Sequence, residues 1–249
     1  MISNSTFNPC IVIPCFNHEA TLASVIERLA PLNLHCLVVD DGSKPSSKQQ
    51  LDAFCALHSN ISLLRLDENQ GKGVAVMLGI QEAAKRGYTH ALQVDCDGQH
   101  ELEKAGELLA LAAKHPKHLI SGRPVYDASV PSSRLYGRYI THFLVWLETL
   151  SFSIPDSMCG FRVYPTQPSL AIKKVGRRMD FDTDIMVRLY WSGAPSLFIP
   201  VAVTYPEGGI SNFRMLEDNL LMTRLHLKLL LGMLVRSPFL LFRRRKNSV

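Results

Sequence analysis

The chain has 249 residues, of which 47% are hydrophobic and 20% charged, a composition typical of a folded globular protein and not of a disordered one. Its formal net charge of +5 comes entirely from residues 236–249, which contain five basic residues and no acid. Because the rest of the chain is formally neutral, the composition argues against a nucleic-acid-binding body and predicts a tail with an acidic partner.

Cysteine usage and the N-terminal sequence indicate a cytoplasmic protein. The six cysteines are scattered and form no C-x-x-C pair, so neither a zinc site nor a disulfide framework is predicted. The first residues lack the basic start and the long apolar core of a signal peptide. A reducing compartment is the expectation that follows.

Predicted strands and helices alternate along most of the chain. Apolar runs predict buried strands at 10–15, 36–39, 61–66, 90–94, 118–122 and 197–203. Helices are predicted at about 19–30, 46–58, 72–85 and 101–114. This alternation indicates an α/β fold with an open, mostly parallel sheet, which binds ligands at the carboxyl ends of its strands.

Polar residues follow several of these strands and are therefore predicted to share one edge of the sheet. They are Asn17, Asp40 and Asp41, Gly71 and Lys72, and Asp95 and Asp97. Asp95 and Asp97 alternate along the chain, so both carboxylates can face one way, and a cation between them would keep both ionised. Mg²⁺ or Mn²⁺ suits such oxygen ligands. The alternative is a polar strand end with a turn at Asp97–Gly98, but four polar clusters on one edge favour a site.

The glycines around Lys72 match no common nucleotide-binding motif. A P-loop requires glycine at 66 and serine or threonine at 73, where this chain has Leu66 and Gly73. A dinucleotide fingerprint that starts at Gly71 requires glycine or alanine where Val76 stands. The edge is therefore predicted to be a metal and nucleotide site of another kind.

Several motifs taken together resemble those of family 2 glycosyltransferases of the GT-A type. They are IVIPCFN, LVVDDGS, NQGKGVAVMLGIQEA, LQVDCDGQH, CGFRVYP and FDTDIMVRLYWSG, and the greatest likeness is to the polyprenyl- and dolichyl-phosphate sugar transferases. The resemblance covers about residues 9–213 and implies a GT-A domain over 1–213, with a Rossmann-like, mostly parallel sheet flanked by helices. It implies a metal-dependent, inverting glycosyltransferase that uses a UDP- or GDP-sugar with Mg²⁺ or Mn²⁺.

The resemblance also assigns residues to the donor and the metal. The donor-binding residues that it implies are Pro14, Asn17, Asp40, Asp41, Lys72 and Asp95. The metal ligands that it implies are Asp95, Asp97 and Gln99. One departure from the family pattern is His18-Glu19, where relatives usually have Glu directly after Asn.

A second group of residues is implied for the acceptor and the reaction. Arg123 and Arg134 match positions that face the donor diphosphate or an acceptor phosphate, and Gly160, Phe161 and Arg162 resemble the acceptor-side segment, whereas Arg138 is expected to be a solvated surface charge.

In the acid-rich segment 180–184, Asp182 is expected to cap a helix and Asp184 to act as general base. These acids, and the lack of an arginine near Glu207, favour a lipid-linked hydroxyl acceptor over the phosphate that the family favours. The glycines of the loop 205–213 suggest a mobile lid.

Two apolar stretches raise the question of a membrane. Residues 139–154 fit either an interfacial helix or a core helix. Residues 214–249 mix apolar and basic residues, and Arg236 and Pro238 are expected to interrupt any membrane span. We expect this segment to bind an anionic surface, peripherally, at the inner face of the cytoplasmic membrane; the alternative is a core helix with a disordered basic tail.

Two other functions fit parts of the pattern. A catalytically idle nucleotide-sugar-binding scaffold could use the same fold, although the complete D-x-D motif argues against it. A sugar-phosphate nucleotidyltransferase would carry a loop rich in glycine and basic residues after its first strand, and residues 14–20 have no such loop.

Overall fold

The computed structural model describes residues 6–126, 130, 132–204 and 214–246, which are built around a seven-stranded sheet. The strands are β1 (Pro9–Cys15), β2 (Cys36–Asp41), β3 (Ile61–Leu66), β4 (His90–Gln93), β5 (Leu119–Tyr126), β6 (Arg162–Pro165) and β7 (Ser196–Val203). The helices are α1 (Glu19–Leu29), α2 (Pro45–Ala56), α3 (Lys72–Lys85), α4 (Ala105–Lys114), α5 (Ser132–Thr149), α6 (Thr166–Leu170), α7 (Phe181–Ser192) and α8 (Met215–Lys246). The loop 205–213, to which the lid and the missing arginine were assigned above, lies outside the described residues.

The sheet is mostly parallel, as predicted. Its strand order is β3-β2-β1-β4-β6-β5-β7, and β6 is the one strand of this sheet that pairs antiparallel with both neighbours. The sequence analysis did not predict β6, which has four residues and a buried arginine at its start. The mixed α/β architecture confirms the predicted fold class.

Alternating residues of β1 supply the two hydrophobic cores, one on each face of the sheet. Cys10 and Val12 belong to the core that α3, α5, α7 and α8 cover, whereas Ile11 and Ile13 belong to the core on the side of α1 and α4. On the first face α3 lies so close to the sheet that a Cβ at Gly79 would come within 2.3 Å of Val12 Cγ1. This close packing fixes the start of α3, and with it Lys72, relative to the ends of β1 and β2.

Helix α8 continues without a break through Arg236 and Pro238, so the predicted interruption is wrong. A proline removes the N–H that would bond the carbonyl four residues earlier, here that of Leu234. The hydroxyl of Ser237 donates to this carbonyl at 2.9 Å and so satisfies it within the helix. In the described part of the chain, α8 is the one helix that is long and apolar enough to cross a membrane by length and composition.

Helices α5 and α8 pack against each other and against α7. Between α5 and α8, Nδ1 of buried His226 lies 2.7 Å from Oε1 of buried Glu148. Indole Nε1 of Trp191 on α7 donates to the main-chain oxygen of Glu148 at 2.9 Å, and the guanidinium of Arg236 stacks over the same indole ring at 4.6 Å. The C-terminal helix is therefore joined to the body by polar contacts as well as by apolar packing.

Candidate functional site

The predicted polar clusters do meet at the carboxyl edge of the sheet. Pro14 is half-buried in β1, and Asn17 follows that strand with a left-handed backbone (φ 54°), which asparagine tolerates better than most residues. The Asn17 side-chain oxygen accepts a hydrogen bond from the main-chain N–H of Lys44 at 2.9 Å. The main-chain N–H of Asn17 donates to the hydroxyl of Ser43 at 3.0 Å. These bonds connect the loops that follow β1 and β2.

Asp40 and Asp41, at the end of β2, are both buried, and their carboxylates hold neighbouring loops in place. Asp40 accepts the main-chain N–H of Ser43 at 2.9 Å and Nε of Arg65 at 2.8 Å. Asp41 accepts the main-chain N–H groups of residues 70 and 71 at 2.8 and 2.9 Å. The two aspartates therefore shape the loops of the predicted donor site; their predicted contact with the nucleotide stays a prediction.

Lys72 lies at the centre of the site, between two carboxylates. Its Nζ is 2.8 Å from Oδ2 of Asp95, after β4, and 2.8 Å from Oδ2 of Asp182, in the first turn of α7. Burial alone would lower the pKa of Lys72, but the two carboxylates outweigh it and raise the pKa, so the lysine stays charged. Burial alone would raise the pKa of Asp95, but Lys72 lowers it. The cluster is therefore an ionised lysine that bridges two acids.

Gly160 lies directly against this cluster. A Cβ at this position would come within 2.3 Å of Oδ2 of Asp95 and 2.6 Å of Nζ of Lys72. Real Cβ atoms essentially never approach other atoms so closely, so residue 160 has to be glycine for the lysine and the acid to meet as they do. The sequence resemblance assigned Gly160 to the acceptor side, and the structure places it beside the two residues expected to face the donor.

Asp97 and Gln99 form the turn after β4. The main-chain N–H of Gln99 donates to Oδ1 of Asp97 at 3.0 Å, and Gly98 between them has φ 69°. Within the described ranges, no group of three or more His, Cys, Asp and Glu side chains surrounds one point. The donor set of Asp95, Asp97 and Gln99 nevertheless fits Mg²⁺ or Mn²⁺ chemically, because such an ion takes few protein oxygens and completes its shell with water and substrate phosphates.

The two acids of α7 differ from their predicted roles. The residue before α7 is Asp180, and the Asp182 carboxylate contacts Lys72 instead of capping the helix. Asp184, the predicted base, accepts the main-chain N–H of Gly176 at 2.7 Å with one oxygen and Nε of Arg188 at 2.6 Å with the other. Of these two acids, Asp182 is the one that the structure brings to the site.

Arg138 is not the solvated surface charge that the sequence predicted. Its Nε donates to Oδ2 of buried Asp156 at 2.6 Å, and Nε2 of His142 lies 3.0 Å from the same oxygen. The other oxygen of Asp156 accepts the main-chain N–H groups of residues 158–159 at 2.9 and 2.8 Å. Burial alone would raise the pKa of Asp156, but the Arg138 guanidinium holds it below its usual range. This arrangement fixes the segment that leads to Gly160.

The other residues predicted on the acceptor side differ in their exposure. Arg123 lies on β5 and is exposed, and the side chain of Arg134 lies outside the described residues. Phe161 and Arg162 are fully buried, and the Arg162 guanidinium donates to the main-chain oxygens of Ser157 and Asp182. The Arg162 guanidinium is thus bonded within the protein, and the acceptor-side position that the resemblance implied for this segment stays a prediction.

The sequence analysis did not identify two buried polar residues under the site, Gln93 and Tyr164. Gln93 Nε2 donates to Oδ1 of Asp95 at 3.1 Å, and the hydroxyl of Tyr164 donates to Oε1 of Gln93 at 3.1 Å. The sequence contains one signal that could have identified Gln93, because it is an amide inside the apolar run ALQV. A polar side chain on a buried strand requires a hydrogen-bond partner.

Two known proteins are similar to most of this chain. A dolichyl-phosphate beta-glucosyltransferase from Dictyostelium discoideum is 26% identical over 219 residues, which cover 77% of this chain and 63% of the relative. A polyprenol monophosphomannose synthase from Mycolicibacterium smegmatis is 25% identical over 221 residues, which cover 81% of this chain and 79% of the relative.

A solved structure of lower identity has the same fold. It is a mannosyltransferase from Pyrobaculum calidifontis in complex with GDP-Man and Mn²⁺, with a TM-score of 0.59 at 13% identity. The match covers 81% of this chain and 58% of the solved chain, so this chain spans less than two thirds of that structure, as it does of the Dictyostelium relative.

The family model described as glycosyl transferase family 2 matches residues 10–168. These residues include the ends of β1, β2 and β4, the start of α3, and Gly160. The match covers more than half of the chain and contains Lys72 and Asp95 of the central cluster. The chain therefore belongs to glycosyl transferase family 2 and is a glycosyltransferase.

Proposed function

We propose that this chain transfers a sugar from a nucleotide-diphospho-sugar to a polyprenyl phosphate at a membrane surface. The observation that supports the proposal most is the Lys72–Asp95–Asp182 cluster, in which acids from two parts of the fold meet one lysine at the carboxyl edge of the sheet. Ligands of open α/β sheets bind at this edge. The names of the Dictyostelium and Mycolicibacterium relatives support a lipid phosphate as acceptor.

A phosphate acceptor also suits the positions of the acids. A phosphate monoester is largely ionised at pH 7, since its second pKa is about 6, so it can attack without losing a proton to a base. A hydroxyl acceptor would need a positioned base. Both oxygens of Asp184 are hydrogen-bonded within the protein, and Asp182 is paired with Lys72, which favours the acceptor that needs no base.

We assign Mg²⁺ or Mn²⁺ to Asp95, Asp97 and Gln99. When bound there, the ion would neutralise charge that develops on the leaving diphosphate. Lys72, charged and next to Asp95, would add to that positive potential, and exposed Arg123 is the residue that we assign to a phosphate group. The acceptor would attack the sugar from the face opposite the diphosphate, so the anomeric configuration would invert.

We place the membrane contact on the exposed faces of α5 and α8, with the protein on the cytoplasmic side and peripheral. The exposed apolar residues include Tyr139, Ile140 and Phe143 on α5, and on α8 Leu227, Leu231, Leu234, Val235, Phe239 and Phe242. One face of α8 is buried against the body, for example at Leu225 and Leu229. A helix with one packed face and one apolar face, followed by basic residues, suits the surface of an anionic bilayer.

The proposal is tested by a transfer assay with matched acceptors. The purified protein is incubated with UDP-glucose, UDP-N-acetylglucosamine or GDP-mannose, with Mn²⁺, and with either a polyprenyl phosphate or the polyprenol alcohol of the same length. We expect transfer from at least one donor to the phosphate and none to the alcohol, with product formation stopped by excess EDTA.

Each other outcome would contradict a defined part of the proposal. Equal rates with the alcohol would contradict the phosphate acceptor and would restore the need for a base. Undiminished transfer in EDTA would contradict the metal role. Nucleotide binding without transfer to any lipid would favour a scaffold over an enzyme of this specificity.

A further inference from the structure

Three buried polar side chains connect β4 to β6 directly beneath the Lys72 cluster. Gln93, Arg162 and Tyr164 are each fully buried, and Gln93 and Arg162 are paired residues on the two antiparallel strands. Buried polar groups cost free energy unless they are hydrogen-bonded, and those within one network act together. Three such groups in the middle of a sheet therefore have to be explained by their bonds.

The hydrogen bonds between these groups can run in only one direction. A guanidinium has donors and no acceptor, so Nη1 of Arg162 donates to the hydroxyl of Tyr164 at 3.4 Å. Burial raises the pKa of Tyr164, so its hydroxyl keeps its proton, and that proton is donated to Oε1 of Gln93 at 3.1 Å. The amide nitrogen of Gln93 must then face Asp95, whose Oδ1 accepts from it at 3.1 Å.

The same arginine also holds the second acid of the cluster. Its Nη1 donates to the main-chain oxygen of Asp182 at 2.6 Å, and its Nη2 donates to the main-chain oxygen of Ser157 at 2.7 Å. Arg162 thus acts on Asp95 through Tyr164 and Gln93, and on Asp182 through the main chain at the start of α7. Lys72 bridges the same two acids from the other side.

We propose that Arg162, Tyr164 and Gln93 form a one-way hydrogen-bond relay that orients the Asp95 carboxylate, so that Tyr164 and Gln93 are positioning residues of the donor site. If the Gln93 side-chain amide flipped, its oxygen would face a carboxylate oxygen of Asp95. The Tyr164 hydroxyl opposes this flip because it donates to the amide oxygen in the observed orientation. The inference rests on the proposed function in one respect, because it takes Asp95 to be a ligand of the metal and the diphosphate.

The test begins with Tyr164→Phe, which removes only the hydroxyl. The melting temperature is measured with UDP or GDP at increasing Mn²⁺ concentrations. The quantity compared is the Mn²⁺ concentration at which half of the full rise in melting temperature is reached. Partners that orient a metal ligand typically contribute 10- to 100-fold in metal affinity, so we expect this concentration to increase at least about tenfold. The control is Tyr88→Phe, because Tyr88 stacks on His35 before β4, at the opposite end of that strand from Asp95.

A double variant separates positioning from stability. Tyr164→Phe leaves the Gln93 oxygen without its donor, whereas Gln93→Met combined with Tyr164→Phe removes both partners and leaves no orphaned carbonyl between them. We expect the double variant to regain melting temperature relative to Tyr164→Phe while its Mn²⁺ dependence stays weakened, since Gln93→Met removes the donor to Asp95. Recovery of both properties together would show a purely structural role and overturn the relay.

A crystal structure of the double variant makes the test independent of the metal. We expect the Asp95 carboxylate to be rotated from its position in the wild-type protein, with its contact to Lys72 changed. An unchanged carboxylate overturns the relay, as does a Mn²⁺ dependence of Tyr164→Phe equal to that of wild type. If nucleotide binding by the wild-type protein ignores Mn²⁺, the proposed metal role fails, and the Asp95 position in the variant still decides on the relay.

Discussion

At the scale of single residues, the charge of Lys72 determines what its two acidic neighbours can do. With the lysine present, the charges of Asp95 and Asp182 are partly compensated before any ligand arrives. The net charge of these three residues is therefore one negative, whereas the two acids alone would carry two. A diphosphate, itself negative, would gain from the same lysine.

Replacing Lys72 by methionine tests this balance. The Lys72 side chain is 19% exposed, and removing one member of a mostly buried ion pair leaves uncompensated charge, so we expect the free energy of unfolding to fall by about 3 kcal/mol. Mn²⁺ should stabilise this variant more than wild type, because it restores positive charge next to Asp95. Urea unfolding with and without Mn²⁺ measures both effects.

The matched control is Lys85→Met, on the same helix. The Lys85 side chain is 80% exposed, and its Nζ lies 3.7 Å from Glu82, so this change should alter stability by less than about 0.5 kcal/mol. Equal losses in the two variants would contradict a special role for the charge of Lys72.

Gly160 gives a second prediction at this scale. In Gly160→Ala the new Cβ meets Asp95 and Lys72, so the cluster has to shift. We expect kcat/KM for sugar transfer to fall at least about a hundredfold, since small displacements in an active site have effects of this size. The same substitution at Gly106, where a Cβ meets nothing within 4 Å, should leave the rate unchanged. A fully active Gly160→Ala enzyme would show that the close contact is not needed.

The sequence predicted which residues gather at the site better than it predicted what each one contacts. Asp182 and Asp184 both occupy the first turn of a helix, and nothing in their local sequence tells which one meets Lys72. That depends on how α7 packs over α3, which is a long-range property. The burial of Arg162 was not predicted for the same reason, because burial of a charged residue depends on partners distant in sequence.

At the scale of elements, the pattern of apolar residues predicted the parallel strands but not the antiparallel strand β6. Strands β1 to β4 have clear apolar runs, whereas β6 is four residues long and starts with Arg162. For helix α8 the sequence wrongly predicted a break, at a proline and an arginine that the helix in fact contains. The side chain of Ser237 replaces the lost helical hydrogen bond at Leu234, and such local compensation cannot be predicted from hydropathy.

The basic end of α8 should control binding to anionic membranes. Deleting residues 243–249 removes four cations but keeps buried Leu240 and the stacking of Arg236 on Trp191, so the folded body should remain. Each cation near the surface contributes about 1 kcal/mol, so we expect at least about tenfold weaker binding to anionic vesicles at low salt. Co-sedimentation at two salt concentrations measures this.

The apolar face of α8 provides the comparison. In Leu231→Ser, which changes an exposed residue, binding should weaken at both salt concentrations, because apolar contact is not screened by ions. If the shortened protein binds anionic vesicles as tightly as the full chain, the basic end is not part of the anchor.

At the scale of the whole molecule, binding of the donor should stabilise the fold. A ligand at a hundred times its Kd adds about 2.7 kcal/mol to the free energy of unfolding. We expect either the UDP-sugars or the GDP-sugars, but not both, to raise the melting temperature when Mn²⁺ is present. Asp97→Asn removes one predicted anionic ligand and should abolish most of the rise. An equal rise in EDTA, or in Asp97→Asn, would contradict the assignment of Asp97 to the metal.

If the protein binds a membrane through α8 as proposed, helix α7 would separate the site from the bilayer. Its first turn places Asp182 in the site, and Trp191, which contacts α8, follows nine residues later. At 1.5 Å per residue this is a spacer of about 14 Å along the helix axis. A lipid headgroup layer is thinner, roughly 5–8 Å on each side of the bilayer. If α8 rests on the bilayer and α7 stands upright on it, the lipid phosphate must be drawn out of the headgroup layer to reach the sugar.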